Sequence, residues 1–257
     1  MAEFAPGIAI IGTGFCGTVT ALSLLRQTRS GPLRLLLIDR SGPDRAATAT
    51  ADSASQLLSA AAARISASSA DSLEFLKFAQ RRMPGVGAED FPPRALYGEY
   101  LNDKLAKAER ASPRVKLERV RGTVVALEVW RPTHTFIIGF DDGREMTAAQ
   151  VVLALGKQQP DTLEGRSDEG TDPFMRNLIA NGLIQPEAVR TGARNAPAGA
   201  VINRFGRATR GLYYIGPVLR PDLQEATAVP ELRAHAEILA RELMRPALAH
   251  PFPQLAR

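Results

Sequence analysis

The stretch Ile8-Ala9-Ile10-Ile11-Gly12-Thr13-Gly14-Phe15-Cys16-Gly17-Thr18-Val19 decides how the rest of the chain is interpreted. An apolar run too short for a helix meets three glycines with the spacing G-x-G-x-x-G, and a helical pattern follows at once. The stretch therefore predicts a strand, a tight turn and a helix. Gly12 permits the turn, Gly14 permits close approach of a pyrophosphate, and Gly17 permits close packing of the helix on the strand.

A second apolar run, residues 33–38, predicts a second strand that ends at Asp39. A carboxylate placed there typically accepts hydrogen bonds from the ribose hydroxyls of an adenine dinucleotide. The two strands together predict a dinucleotide site, and a glycine turn without a ligand is the less favoured alternative. Arg40 and Arg45 follow the carboxylate, and each is expected either to contact an adenosine phosphate or to lie solvated on the surface.

The composition limits the class of protein. The chain has 257 residues, of which 45% are hydrophobic and 23% charged, which suits one large soluble domain or two small ones. The net charge of +5 comes from scattered basic residues, which gives little support for a nucleic-acid partner. We expect no membrane span and no cleaved signal peptide, and therefore a cytoplasmic location, because the apolar runs are short and the first strand starts almost at once.

Cys16 is the single cysteine, which excludes an intrachain disulfide and a cysteine-built metal site. It lies in the first turn of the predicted helix, where the dipole favours a thiolate. Two interpretations follow, a redox-sensing thiol or a small residue required beside the pyrophosphate, and we favour the second.

The remaining pattern predicts alternating helices and strands. Ser68 or Ser69 is expected to cap a helix that ends before Pro84. Its apolar stripe consists of Leu73, Phe75, Leu76 and Phe78. A further helix is predicted from residue 91 through 105, because proline is tolerated in a first helical turn.

A β meander is predicted next, over 120–129, 135–140 and 146–147, followed by a buried parallel strand at 151–156. Residues 157–199 have the weakest pattern, with one helical piece near 173–180. A strand at 211–215 and a helix over 229–243 complete the chain.

Four local motifs resemble those of the FAD/NAD(P)-binding oxidoreductases, whose two-domain members include flavin-dependent hydroxylases. They are the glycine turn, the stretch 56–66, the pattern P-R-x-x-Y-G-x-Y-L at 93–101, and Gly216-Pro217 followed by Glu225-Ala226-Thr227-Ala228-Val229-Pro230-Glu231-Leu232-Arg233. The resemblance covers about residues 7–158 and 203–243. It implies an α/β, Rossmann-like FAD-binding fold with a mainly parallel sheet and a β meander.

The interval between the returning strand and the C-terminal motif departs from the family. Two-domain members carry an NAD(P)-binding unit there, with its own glycine fingerprint, whereas residues 157–199 contain no G-x-G-x-x-G. We therefore predict a shortened form, a single FAD-binding domain over 1–257. In it, residues 1–156 and 200–245 form the FAD fold, and 157–199 form a short connection that replaces the NAD(P) domain.

The resemblance implies FAD as the cofactor and a set of residues near it. A helix that starts near Val229 would aim its backbone donors at the pyrimidine edge of the flavin, although it could also be an ordinary surface helix. Arg64 would clamp a phosphate or lie solvated, and Tyr97 is expected in the core. The candidate cofactor residues are Gly12, Thr13, Gly14, Phe15, Cys16, Gly17, Asp39, Arg40, Arg64, Ser66, Val124, Leu155, Gly156, Gly216, Pro217, Thr227, Ala228 and Val229.

Catalytic groups are sparse. Glu225 is the one candidate, either as a proton acceptor during hydride transfer or as a helix cap. The three histidines (His134, His235 and His250) have no partners at metal-ligand spacing, and no metal site is predicted.

The sequence therefore favours an FAD-dependent oxidoreductase acting on a small metabolite. Its flavin would be reduced by the substrate or by an external reductase, and reoxidised by dioxygen or a partner. The alternatives are an FAD-binding subunit whose partner chain supplies the missing domain, and a monooxygenase that uses NAD(P)H directly. An NAD-dependent dehydrogenase is less favoured, because the C-terminal motif would have no purpose in it.

Overall fold

The computed structural model describes residues 7–28, 32–41, 58, 60–156, 172–185, 197–216 and 229–245. The strands are β1 (Ile8–Ile11), β2 (Leu33–Asp39), β3 (Val115–Arg121), β4 (Val124–Trp130), β5 (Thr135–Phe140), β6 (Glu145–Ala148), β7 (Gln150–Leu153), β8 (Ala200–Ile202) and β9 (Ala208–Tyr214). The α-helices in this part of the chain are α1 (Phe15–Gln27), α2 (Glu74–Arg82), α3 (Arg94–Arg110), α4 (Pro173–Ala180) and α5 (Val229–Leu243).

Six strands form the main sheet in the order β3-β2-β1-β7-β9-β8. The first five run parallel, and β8 pairs antiparallel with β9 at the edge. All four residues of β1 are buried, as expected of a central parallel strand that is covered on both faces. The α/β class with a mainly parallel sheet is confirmed.

The two faces of the sheet carry separate apolar cores, because successive side chains of a strand point to opposite faces. Ile8 and Ile10 face the core formed by α1, α2, α3 and α5. Ala9 and Ile11 face the core formed by α4 and the antiparallel sheet β4-β5-β6. The predicted meander is thus the second layer on one face of the main sheet.

One predicted boundary of the meander is wrong. Residues 120–129 are two strands rather than one, and Val120 belongs to β3, which pairs in parallel with β2. The amide of Gly122 donates to the carbonyl of Asp39 at 3.1 Å, and after this bond the chain leaves the main sheet. The alternating pattern continues across this break, so it could not reveal the change of sheet.

The predicted start of α2 is also wrong. The helix begins at Glu74 with Leu73 as the capping residue, and neither Ser68 nor Ser69 caps it. The Leu73 side chain is exposed, whereas the other three residues of the predicted stripe are buried. The carboxylate of Asp71, which accepts a 3.0 Å bond from the Leu73 amide, closes a turn just before the helix.

The later elements agree with the sequence more closely. Helices α4 and α5 lie where the pattern predicted them, while β8 was not predicted. Asn177 and Asn181 hold α4 on β4, because Asn177 Oδ1 accepts from the Leu127 amide at 2.8 Å and Asn181 Nδ2 donates to the Leu127 carbonyl at 3.0 Å. None of the described helices has the length and apolar character needed to cross a membrane.

Candidate cofactor site

Four neighbouring parallel strands end at one edge of the main sheet. The chain continues from β1 into Gly12, from β2 into Arg40, from β7 into Leu155-Gly156, and from β9 into Gly216. Hydrogen bonds of 2.8 to 2.9 Å hold these ends together: Gly12 N to Ile38 O, Ala154 N to Ile11 O, and Ile215 N to Leu153 O. The structure thus brings together residues that are far apart in sequence, at the edge where ligands of open α/β sheets bind.

Two glycines of the turn are required by the protein itself. Gly12 has φ of +105°, and a Cβ there would overlap with the carbonyl oxygen of Ala154. A Cβ on Gly17 would overlap with the carbonyl oxygen of Gly12. These glycines allow the turn to pack against β7 and α1, as the fingerprint predicts.

Gly14 is different, because the fold has no steric need for a glycine there. A Cβ on Gly14 would have no heavy atom within 4 Å, and its φ is −58°, which any residue can adopt. The space beside its Cα fits the close approach of a ligand phosphate. The turn therefore leaves room for a phosphate beside Gly14, and its role in binding one stays a prediction.

The N-terminus of α1 also suits an anion. Gly14 caps the helix without a side-chain hydrogen bond, and the first turn contains no acidic residue. The first backbone N–H groups of a helix have no partner within it, and the helix dipole places partial positive charge there. A pyrophosphate would supply the acceptors and the negative charge that the side chains of this turn do not.

Asp39 lies at the end of β2 as predicted, but its carboxylate is already engaged. Oδ2 accepts the amide of Thr13 at 3.0 Å and the hydroxyl of Thr13 at 2.7 Å. Oδ1 accepts the amide of Ser41 at 2.8 Å. A carboxylate has about four acceptor positions, so these three bonds leave about one for a ribose hydroxyl. The sequence pattern did not reveal that Thr13 shares this carboxylate.

Cys16 is buried at the start of α1, with 7% of its surface exposed. Burial raises the pKa of its thiol from 9.0 to about 12, despite a backbone hydrogen bond that lowers it. Desolvation therefore outweighs any stabilisation of the thiolate by the helix N-terminus. The structure favours the second interpretation, a small buried residue beside the turn.

The aromatic motif of α3 packs beside this turn. Phe15 stacks on Tyr97 with ring centroids 6.1 Å apart, and the Tyr97 hydroxyl donates to the carbonyl of Ile65 at 2.7 Å. Burial raises the pKa of Tyr97 well above its ordinary value, so the hydroxyl remains a donor at neutral pH. Tyr97 is thus a core residue with a hydrogen-bonded tip, as predicted.

Residues 65–68 cross this region without regular secondary structure. Ser66 is buried, and its hydroxyl donates to the carbonyl of Asp71 at 2.7 Å. The Ala67 amide donates to the hydroxyl of Tyr100 at 2.9 Å. Arg64, in contrast, is exposed and pairs with Glu89 at 3.3 Å. Arg64 thus matches the predicted alternative in which it lies solvated on the surface. The Ser66 hydroxyl has its hydrogen-bond partner within the protein.

The other predicted cofactor residues have different settings. Val124 is buried at the start of β4 in the second core, Leu155 is half-buried, and Arg40 and Gly156 are exposed. Gly216 is buried, and a Cβ there would overlap with the hydroxyl of Tyr214. Val229 is the first residue of α5. Pro217, Glu225, Thr227 and Ala228 lie outside the described residues.

Helices α1 and α5 run side by side in the same direction. Gln27 Nε2, at the end of α1, donates to the carbonyl of Glu237 in the middle of α5 at 3.3 Å. Just after the two helices end, the Thr28 hydroxyl contacts Met244 Sδ at 3.6 Å.

In the second turn of α5, Arg233 bonds to the carbonyls of Ser66 and Ser68. The same segment accepts the hydroxyl of Tyr97, which stacks on Phe15 at the start of α1. The N-terminal parts of the two helices therefore lie on the same side of the sheet.

The two described histidines differ in their surroundings. His134 Nε2 lies 3.0 Å from the carbonyl oxygen of Arg210. His235 is largely buried, and this burial lowers the pKa of its imidazole. Across the described ranges, no group of three His, Cys, Asp or Glu side chains is placed to hold a metal ion.

The glycine turn, the carboxylate at the end of β2 and the parallel sheet define a dinucleotide-binding α/β protein. The chain belongs to the FAD-NAD(P)-binding family, whose model matches residues 9–158. This match confirms the family resemblance and supports FAD as the cofactor. It also supports the coarser part of the functional prediction, an oxidoreductase.

No curated protein matches the sequence. Among solved structures, the chain is similar to a Bacillus anthracis protein described as a putative thioredoxin reductase. The two are 14% identical, with a TM-score of 0.46, and the match covers 93% of this chain and 97% of that one. An oxidoreductase from Agrobacterium tumefaciens is 16% identical, with a TM-score of 0.45 and coverage of 94% and 98%. Cyclohexanone monooxygenase from Rhodococcus sp. Phi1 is 15% identical, with a TM-score of 0.42, and the match covers 60% of this chain and 26% of the monooxygenase.

Gly14→Ala and Gly17→Ala should separate cofactor binding from folding. We expect Gly14→Ala to change the free energy of unfolding of the apoprotein by less than about 1 kcal/mol, because its Cβ meets nothing. The same methyl should weaken FAD binding at least about tenfold, since it enters the space for the phosphates. Gly17→Ala should cost at least about 2 kcal/mol of stability. Urea unfolding and FAD titration measure both effects, and unchanged FAD affinity in Gly14→Ala would contradict the assignment.

Thr13→Val should test the bond between Thr13 and Asp39. Removing the hydroxyl should lower the free energy of unfolding by about 1 to 2 kcal/mol, because the lost bond ends on a charged acceptor. Thr13→Ser keeps the hydroxyl and serves as the control, with a smaller expected loss. Equal stability of the Val and Ser variants in urea unfolding would show that the bond contributes nothing.

The Cys16 thiol should be unreactive in the folded protein. With a pKa of about 12, roughly one thiol in ten thousand is ionised at pH 8. A chromogenic disulfide reagent should label it only after unfolding in urea, with Cys16→Ser as the baseline. Because the folded pKa is raised, the contribution of this group to stability is complete below pH 9 and is lost as the pH rises towards 12. Rapid labelling of native protein at pH 8 would contradict the burial argument.

Proposed function

We propose that this protein is an FAD-dependent oxidoreductase that acts on a small metabolite. The observation that carries the proposal is the glycine turn at the carboxyl edge of the parallel sheet, where Gly14 adjoins open space and the first turn of α1 has no acidic residue. FAD, when bound, supplies the redox chemistry, and the protein binds, orients and polarises it.

Each part of this edge has a proposed role. The first turn of α1 would hold the pyrophosphate, and Asp39 would accept one ribose hydroxyl. The N-terminus of α5 would face the flavin, together with the residues Pro217, Thr227 and Ala228 of the C-terminal motif. The backbone N–H groups at that helix end would favour the electron-rich form of the flavin, although the Glu231 side chain in the same turn offsets part of the positive potential.

The proposed source of electrons follows from the interval 157–199, which contains no glycine fingerprint. We propose that residues 1–257 act as a single FAD-binding domain, in which this interval is a short connection. Electrons would then come from the substrate itself or from a separate reductase, and dioxygen or a partner would accept them. Glu225 is the proposed proton acceptor for a bound amine or hydroxyl.

A second candidate function is that of an FAD-binding subunit whose partner chain supplies the missing domain. One observation favours it, an exposed aromatic side chain beside the connection. Phe205 is 71% exposed, and the adjacent Arg204 donates its amide to the carbonyl of Gly182 at 3.2 Å, just after α4. The Arg204 guanidinium lies over the Phe205 ring, 4.9 Å from its centroid, and an apolar patch extending from this ring would mark an interface, whereas a single exposed ring is ordinary on a protein surface.

Cofactor extraction and anaerobic reduction should test the proposal. We expect the purified protein to bind one FAD, to keep its flavin oxidised when NADPH alone is added without oxygen, and to lose the yellow colour with a suitable small metabolite. Absorbance near the flavin maximum measures each step.

Other results of these two measurements would favour the alternative functions. Bleaching by NADPH alone would favour the monooxygenase. Bleaching by a separate reductase agrees with the proposal when this chain alone then turns over the metabolite, and a requirement for a second chain in that turnover would favour the subunit. Protein that remains colourless after incubation with FAD would overturn the central proposal.

A further inference from the structure

Arg233, in the second turn of α5, reaches away from its own helix to a separate part of the chain. Its Nη1 atom donates to the carbonyl of Ser66 at 2.8 Å and to the carbonyl of Ser68 at 3.1 Å. These serines belong to the irregular segment 65–68, which follows a short 3-10 helix over Ala62–Arg64. A single guanidinium nitrogen thus joins α5 to a buried segment more than 160 residues earlier.

The same segment is held by α3. The Tyr97 hydroxyl donates to the Ile65 carbonyl, and the Tyr100 hydroxyl accepts the Ala67 amide. All four residues of the segment are buried, and buried backbone groups outside helices and sheets require such partners. Side chains from α3 and α5 therefore fix the path of segment 65–68.

The position of Arg233 along α5 gives this contact a further consequence. Arg233 lies four residues after Val229, about one turn or roughly 6 Å along the helix axis from the N-terminus. The electrostatic effect of a helix end falls off within about one turn. A small displacement of this first turn would therefore change what its backbone N–H groups can stabilise.

We propose that Arg233 is a positioning residue for the cofactor. By clamping α5 to segment 65–68, it holds the N-terminal turn of α5 where that turn stabilises the reduced form of the flavin. This inference rests on the proposed function, because it places the flavin edge at the start of α5. Arg233 acts through the helix and needs no contact with the flavin itself.

Arg233→Gln should uncouple the helix from the segment. We expect the preference for binding reduced over oxidised FAD to fall about tenfold, which corresponds to about 30 mV for a two-electron couple. In the apoprotein, hydrogen exchange at the Ala67 amide should become faster, since the segment loses its partner on α5. Redox titration and hydrogen-exchange mass spectrometry measure the two effects separately.

Arg233→Lys should restore both properties to near their original values. Both bonds of Arg233 come from one nitrogen, and a lysine ammonium has three donors, enough for two carbonyls. Arg233→Met, which keeps the apolar stem without any donor, replaces the Gln variant if the latter does not fold. Failure of the Lys variant to shift the potential back would contradict the role of the bonds.

Arg119→Gln is the matched control. Arg119 is partly buried and pairs with Glu109 at 2.6 Å. It lies on β3, which forms the edge of the main sheet opposite β8. This variant should lose stability without a change in flavin potential. If Arg233→Gln is destabilised but binds reduced and oxidised FAD in the original ratio, the positioning role is wrong. If the original protein binds no FAD, the proposed function fails, and slow exchange at Ala67 would show that the clamp itself remains.

Discussion

The close contact of the Gly12 turn with β7 and α1 is the constraint on which the site depends. The carbonyl oxygens of Ala154 and Gly12 occupy the positions where side chains of Gly12 and Gly17 would begin. Because these contacts leave no room for a Cβ, α1 starts directly over the ends of β1 and β7. The same geometry leaves Gly14 facing open space. Gly12 and Gly17 therefore serve the packing of the turn, whereas Gly14 leaves room for a ligand.

Apolar periodicity and glycine spacing predicted the elements whose pattern lies within one continuous stretch of chain. These elements are the glycine turn, β2 with Asp39, and helices α4 and α5. The passage of the chain from β3 to β4 was missed, because the bond between Gly122 and Asp39 that ends β3 joins residues 83 positions apart. Alternation of apolar and polar residues cannot indicate which of two sheets a strand joins.

The polar groups of the site were the hardest part to predict, because their partners depend on packing. The sequence placed Asp39 correctly but not its bonds to Thr13. It offered Arg64 as a phosphate contact or a solvated residue, and Ser66 as a cofactor contact, but it could not indicate that Arg64 pairs with Glu89 or that Ser66 bonds to the Asp71 carbonyl. Arg233 was part of a quoted motif, yet its function as a link to segment 65–68 required the tertiary structure.

The first turns of α1 and α5 differ in the charge of their side chains. Helix α5 carries Glu231 in its first turn, and an acidic side chain there offsets part of the dipole. Helix α1 has neither an acidic residue in its first turn nor a side-chain cap. A pyrophosphate at α1 would therefore supply the negative charge that the side chains of its first turn do not. Because a ligand that binds only the folded state adds its binding free energy to stability, the cofactor would stabilise chiefly the Gly12 turn and the start of α1.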